Sequence, residues 1–264
     1  MSSRTVPFAR PAELSRDNRL HSYLVYIENL TVVFDGFKAL DIDLFGLYHN
    51  ELRVIIGPNG AGKTTLCDVI SGRTKPSSGR VFLRGYNIDS MPEHERARQG
   101  IGRKFQTPTV FDSLTVFENL ELALPGRRNL WRNLFSALSS EESDRIDTML
   151  SRVRLSDQRD QSAKYLSHGK RQCLEIAMLI MAEPKLLLVD EPAAGLSDDE
   201  TSLLVELLLE LRGQQAIIVI EHDMEFVRRL EAPVTVLNEG RIMAEGEMEE
   251  IQANAAVVEA YLGR

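Results

Sequence analysis

The stretch RVIIGPNGAGKTT, residues 53–65, decides the fold. Arg53 to Ile56 reads as a short apolar strand that runs straight into GPNGAGKT, a match to G-x-x-x-x-G-K-[ST]. A helix is predicted from there to about Ile70. Glycines let successive backbone N–H groups converge on one anion, and the helix N-terminus adds its dipole. Gly57, Pro58, Asn59, Gly60, Ala61 and Gly62 would form a phosphate cradle, and Lys63 would reach the β- and γ-phosphates. Thr64 would place its hydroxyl on Mg²⁺, and Thr65 can add a hydroxyl or an N–H to the α-phosphate. The plainer reading, a Gly-rich turn that only caps a helix, is outweighed by the strand–loop–helix context.

Two further apolar strands end in chemistry. Lys185 to Val189 leads to Asp190-Glu191, and AIIVI, residues 216–220, leads to Glu221-His222. In open α/β sheets ligands lie outside the carboxyl ends of the strands. Core packing needs no polar groups at all three ends, so the three ends point to one nucleotide site. Asp190 is placed to hold Mg²⁺, directly or through water, with helix N-capping as its bland alternative. Glu191 is the candidate general base for water attacking the γ-phosphate. Adjacent carboxylates repel one another unless a cation sits between them. His222 would contact the γ-phosphate or orient the water.

Around these three strands the chain alternates strand and helix. Tyr23 to Phe34 reads as strand material with an Asn-containing bend near Glu28. Leu40, Ile42 and Leu44 alternate with Asp41 and Asp43, which predicts a half-buried strand. SGRTKPSSG, residues 71–79, is a loop, and Val81 to Ile88 is another strand. Leu114 to Leu124 reads as a helix, followed by a charged helical stretch to about Leu155 that breaks near Ser139-Ser140. Within it Trp131, Leu134, Phe135 and Leu138 form one helical stripe, suited to packing or to contact with a membrane partner. A buried helix follows Gln172, then a helix from Asp198 to Arg212. VTVLNEGRIMAEG, residues 234–246, is a hairpin turning at Asn238-Glu239-Gly240, and a last helix ends the chain. This order implies an α/β domain with a largely parallel core sheet. Strands clustered at both ends of the chain suggest an added antiparallel subdomain.

The 264 residues are 43% hydrophobic and 27% charged, enough to bury a core of normal size. The net charge of -8 argues against a general nucleic-acid binder. Cys67 and Cys173 lie in apolar helical segments without metal-ligand spacing, which fits a reducing compartment. No apolar run approaches the ~20 residues that span a bilayer. Residues 1–22 are polar, hold Pro7 and Pro11, lack a secretory h-region and read as a mobile extension with a weak helical turn. Residues 23–264 read as one domain, with a helical subdomain at approximately 107–182.

One stretch, LSHGKRQ at residues 166–172, is not explained by phosphate-loop logic alone. Ser167 suits an N-cap for the helix that follows. Taken in order, GPNGAGKTT, Gln106 in GRKFQTP, LSHGKRQ, LLLVDEP, AAGLSDDE and EHD resemble the ATP-binding-cassette (ABC) ATPases. They match that family's Walker A, Q-loop, signature, Walker B, D-loop and H-loop. The resemblance covers nearly the whole chain after about Leu24. It implies a P-loop NTPase fold of the ABC type, with a mixed parallel core sheet, an antiparallel β subdomain and a helical subdomain. It also implies ATP and Mg²⁺, and two cassettes that sandwich ATP head to tail.

By matching position, Phe34 would stack on adenine, where the family usually has Tyr. Gln106 would contact Mg²⁺ or the lytic water and sense the transport partner. The Ser167 hydroxyl and the Gly169 N–H would face the γ-phosphate held by the other subunit, stabilising charge in the transition state. His168 stands where the family has glycine, so its ring must project away from the phosphate. Lys170 replaces a Gln, and Ser197 replaces the usual D-loop Asp.

DEPAAGLS, the long insert after ENLELAL and the ending YLGR are similar to the branched-chain amino-acid importer group. Within it, residues 100–124 and LSHGKRQ are most similar to an ATP-binding subunit of bacterial urea importers. The resemblance therefore implies an ATP-hydrolysing subunit, peripheral on the cytoplasmic face of the inner membrane. Its partners would be permease subunits, a second ABC ATPase in a homo- or heterodimer, and, indirectly, a periplasmic solute-binding protein. Urea is the expected solute and branched-chain amino acids the alternative. A soluble ATP-driven clamp on nucleic acid would bring long coiled coils or two cassettes in one chain. A non-catalytic cassette conflicts with intact Asp190, Glu191 and His222, and a small-molecule kinase conflicts with the signature.

Overall fold

The structure is a computed structural model that describes residues 15–104, 110–125 and 138–262. Gln106, Trp131, Leu134 and Phe135 lie outside the described residues, as do residues 1–14 of the N-terminal extension. The strands are β1 (Tyr23–Phe34), β2 (Phe37–Tyr48), β3 (Leu52–Ile56), β4 (Ser78–Leu83), β5 (Tyr86–Asn87), β6 (Ile101–Arg103), β7 (Leu186–Asp190), β8 (Ala216–Ile220), β9 (Val234–Asn238) and β10 (Arg241–Gly246). The described helices are α1 (Arg16–Ser22), α2 (Lys63–Ser71), α3 (Glu93–Arg98), α4 (Val116–Ala123), α5 (Ser140–Arg152), α6 (His168–Met181), α7 (Asp198–Leu211), α8 (Met224–Arg229), α9 (Met248–Ala253) and α10 (Ala255–Leu262).

The core sheet has the order β10-β9-β3-β8-β7-β6. All neighbouring pairs from β9 to β6 are parallel, and β10 is antiparallel at the edge. Strands β3, β7 and β8 are buried at every position. Alternate residues feed two cores. Ile55, Leu188 and Ile218 face one shared with α2 and the second sheet, while Val54, Leu187 and Ile217 face one shared with α4 to α7. Burial on both faces is why these strands read as unbroken apolar runs. It also makes them intolerant: Ile55→Ala should cost roughly 2–5 kcal/mol. Because β3, β8 and β7 are adjacent and parallel, their three carboxyl ends lie side by side at strand spacings of about 4.8 Å.

The second sheet is antiparallel, in the order β2-β1-β4-β5. Asp35 (φ 47) and Gly36 (φ 85) close the β1–β2 hairpin, the paired positive angles of a type I′ turn. The expected bend in β1 is a register shift between Glu28 and Thr31 against β4, with Asn29 at φ 50. Two expectations are corrected. Val81 to Ile88 is not one strand but the β4–β5 hairpin, folded at Arg84 (φ 51) and Gly85 (φ 79). The C-terminal hairpin does not join the antiparallel subdomain; β9 pairs in parallel with β3, since its buried apolar residues need cover on both faces. Within residues 1–22, read as an extension with a weak helical turn, Arg16–Ser22 is a helix, with Leu20 packed against Tyr23, Tyr26 and Phe82.

Candidate nucleotide site

The loop from Gly57 to Gly62 is clamped on two sides, which explains two of its glycines. A Cβ on Gly57 would sit 2.2 Å from the Leu237 carbonyl oxygen of β9. One on Gly62 (φ 100) would sit 2.6 Å from Leu40 Cδ2 and 2.8 Å from the Ala39 carbonyl oxygen of β2. The loop is therefore pinned by both sheets before α2 begins. Lys63 is buried and donates from Nζ to the carbonyl oxygens of Gly57 (2.8 Å) and Pro58 (3.1 Å). Burial holds its ammonium below the usual lysine range, against the pull of Glu191 and Asp190.

Phe34, Asn59, Lys63, Thr64, Thr65 and Glu191 line one open cleft together with Phe37. Phe34 is 47% exposed and Phe37 67% exposed, so two ring faces stand over the loop. Phe37 is absent from the sequence reading. Its signal is the FDGF spacing: an Asp-Gly turn pairs residues 34 and 37 across the hairpin.

Asp190, at the end of β7, is 5% exposed, and neither carboxylate oxygen has a hydrogen-bond partner among the described residues. Burial raises its carboxyl above the usual range, opposed by the Thr64 hydroxyl and the Arg103 guanidinium nearby. Glu191 follows at φ 47, a conformation that costs a non-glycine residue roughly 1–3 kcal/mol. Its N–H donates to the Ile220 carbonyl oxygen at 2.9 Å, which ties the turn to β8. Its Oε1 lies 3.7 Å from His222 Nδ1, and both side chains are open to solvent.

The LSHGKRQ stretch does not line this cleft. Ser167 caps α6, its Oγ accepting from the Lys170 N–H at 3.3 Å. Gly169 packs so closely on the Glu200 carboxylate that a Cβ would fall 2.1 Å from it. Glu200 Oε2 in turn accepts from the N–H and hydroxyl of Ser197, both at 3.0 Å, as part of the capping box of α7. The His168 ring turns aside toward Gly195 and sits 2.9 Å from Gln172 Nε2, which also donates to the Ala194 carbonyl oxygen at 3.0 Å. The start of α6 and residues 193–200 thus form one connected unit.

The family model described as ABC transporter matches residues 40–194, and that of the branched-chain amino acid ATP-binding cassette transporter matches residues 241–264. The high-affinity branched-chain amino acid transport ATP-binding protein LivG of Escherichia coli (strain K12) is 38% identical over 251 residues, covering 91% of this chain and 98% of that protein. BraF of Pseudomonas aeruginosa, of the same description, is 35% identical, again over 91% of this chain and 98% of its own. A solved nucleotide-free ATP-binding cassette from an ABC transporter is 30% identical with a TM-score of 0.78, covering 92% of this chain and 100% of that one.

The chain belongs to the ABC transporter family. It is an ATP-binding, ATP-hydrolysing cassette of the P-loop NTPase fold. In this ABC ATPase the sequence-predicted residues divide into two groups. The loop residues, Phe34, Glu191 and, through Glu191, His222 gather at the cleft. Ser167 and Gly169 stand apart, and Gln106 lies outside the described residues. The Asp190 oxygens, buried without a partner beside the Thr64 hydroxyl, fit a hard divalent cation. No group of three or more His, Cys, Asp or Glu that could hold a metal occurs among the described residues. Mg²⁺ in nucleotide sites binds through one or two protein carboxylates plus substrate phosphates. No described helix of this cassette is long and apolar enough to cross a membrane.

Proposed function

We propose that this cassette drives an importer for branched-chain amino acids, bound to permease subunits at the cytoplasmic membrane face and paired with a second ATPase subunit. The observation that supports a hydrolytic site is the adjacency of β3, β8 and β7, with the buried Asp190 carboxylate at the end of β7 lacking a hydrogen-bond partner among the described residues. Lys63 and the loop N–H groups orient the phosphates, and Phe34 and Phe37 offer ring faces to the base. Thr64 and Asp190 would hold Mg²⁺ with Gln106, and the ion would neutralise charge on the phosphate oxygens. Glu191 takes the proton of the attacking water, and His222, beside it, orients that water or the γ-phosphate. Ser167 and Gly169 supply donors to the ATP held by the other subunit, in keeping with their position away from this chain's own cleft. No nucleic acid enters this scheme.

The solute reading rests on LivG and BraF and on the match of residues 241–264, which together favour branched-chain amino acids over urea. Urea stays as the second reading on one observation, the likeness of LSHGKRQ and residues 100–124 to urea-importer subunits. ATPase activity of the reconstituted complex separates them: stimulation by leucine with its binding protein supports the first, and stimulation by urea alone supports the second. Glu191→Gln tests the site. Turnover should fall about 10²- to 10⁴-fold while ATP still binds and closed dimers accumulate; unchanged turnover removes Glu191 as the base. Ser167→Arg should keep ATP on the loop and abolish turnover; retained turnover would reduce Ser167 to a helix cap.

A further inference from the structure

We propose that Glu221 is a positioning residue for hydrolysis, whose buried carboxylate holds the Glu191 turn and the His222 backbone in a single register. This rests on the reading of Glu191 and His222 given above. Glu221 directly follows β8, the strand between β3 and β7, and is 1% exposed. Its two oxygens face opposite ways. Oε1 accepts from the Ala193 N–H at 2.9 Å, in the turn just after Glu191. Oε2 accepts from the His222 N–H at 3.0 Å and, at 3.5 Å, from the Asp223 N–H. The Glu221 N–H donates to the Ile55 carbonyl oxygen at 3.3 Å, on the strand that leads into the phosphate loop. One residue thus touches all three of the strand-end segments.

A buried carboxylate is costly unless its charge is met. Here the backbone N–H groups of Ala193 and His222 meet it. Packing alone does not call for it, since the five residues of β8 before it are all buried aliphatics. Its geometric effect falls on the reacting pair. Glu191 Oε1 and His222 Nδ1 stand 3.7 Å apart, and opposite oxygens of Glu221 hold the backbone on either side of that gap. Gln, the isostere, cannot do this. One end of its amide is a donor and would face a backbone N–H, so one of the two clamps must open.

Glu221→Gln in the full chain, assembled with its membrane partner, is the test, with turnover normalised to nucleotide-binding sites so that unfolded protein does not count. We expect kcat to fall about tenfold or more, by misplacement of reacting groups, with KM and nucleotide Kd within about twofold because Lys63 and Thr64 lie on the other strand end. In the double variant with His222→Ala, the two losses should combine to less than their product, since one of the two groups that Glu221 positions is already gone. A kcat near wild type, or losses that multiply in the double variant, would overturn the proposal and leave Glu221 a scaffold group. Retained turnover in Glu191→Gln would instead overturn the site reading on which this one rests.

Discussion

Strand β3 carries a buried cation near each end, and the fold treats the two in opposite ways. Arg53, 1% exposed at the start of the strand, is closed in by acceptors. Its Nε donates to Glu51 Oε1 at 2.6 Å, and its Nη1 donates to Thr235 Oγ1 and Glu245 Oε1, both at 2.9 Å. Lys63, one loop beyond the other end, is 7% exposed and donates to two backbone carbonyls. The nearby Asp190 carboxylate has no hydrogen-bond partner among the described residues. At the first end charge is matched within the protein and ties β3 to the C-terminal hairpin. At the second the Lys63 ammonium meets backbone carbonyls, with the Asp190 and Glu191 carboxylates nearby but no ion pair joining them to it among the described residues.

The contrast can be broken most forcefully at Arg53. Arg53→Met leaves the Glu51 and Glu245 carboxylates buried without their cation, and burial already lifts the Glu51 carboxyl above its ordinary range. Denaturant unfolding should show a loss of about 3–5 kcal/mol. Stability near wild type would mean that the cluster is not a closed unit. Lys63→Ala should act the other way round. Nucleotide affinity, read by fluorescent-nucleotide titration, should fall roughly 10- to 150-fold, while the melting temperature holds or rises.

Asp190→Asn sharpens the comparison through pH. Burial raises the Asp190 carboxyl, so the fold favours its protonated form. The stability this group contributes is fully present below the unfolded value of about 3.9 and is lost as pH rises through the higher folded value. Without divalent cation, the Asn variant should therefore be more stable at neutral pH by about 1 kcal/mol, roughly 2–4 °C in Tm. That advantage should shrink as pH falls through the carboxylate range. A variant less stable than wild type at pH 7 would show that Asp190 is held by the scaffold after all. The smallest effect is expected at His168→Gly. Freeing Gln172 and Gly195 from the ring should lower stability by about 1 kcal/mol or less and leave ATP affinity unchanged. A tenfold change in affinity would place His168 in the cleft instead.

Much of the site could be read from the chain because each of its segments is local. A five-residue strand buried on both faces is a visible apolar run, and a polar residue at its end stands out, as Asp190 does after LLLV. The phosphate loop is likewise contiguous. What stayed hidden depends on contacts distant in sequence. Phe37 gains meaning only once the Asp35-Gly36 turn sets it opposite Phe34. Glu221 reads as a strand end until Ala193, 28 residues away, is found on its other oxygen. The hairpin of β9 and β10 has a clear local pattern, yet pattern fixes only which residues pair, not which sheet the pair joins. Strand β6 has three residues and carries no periodic signal.

The order of motifs, the parallel core and the choice of candidate phosphate-binding residues were determined by the sequence alone. They follow from short-range rules, the spacing of apolar side chains and the backbone freedom of glycine. Only the tertiary structure decided that β8 stands between β3 and β7, that the start of α6 leans on Glu200 rather than on its own chain's cleft, and that Arg53 is satisfied while Asp190 is not. Those facts depend on which groups meet across long stretches of chain, and hydrogen-bond saturation is a property of the meeting, not of the residue.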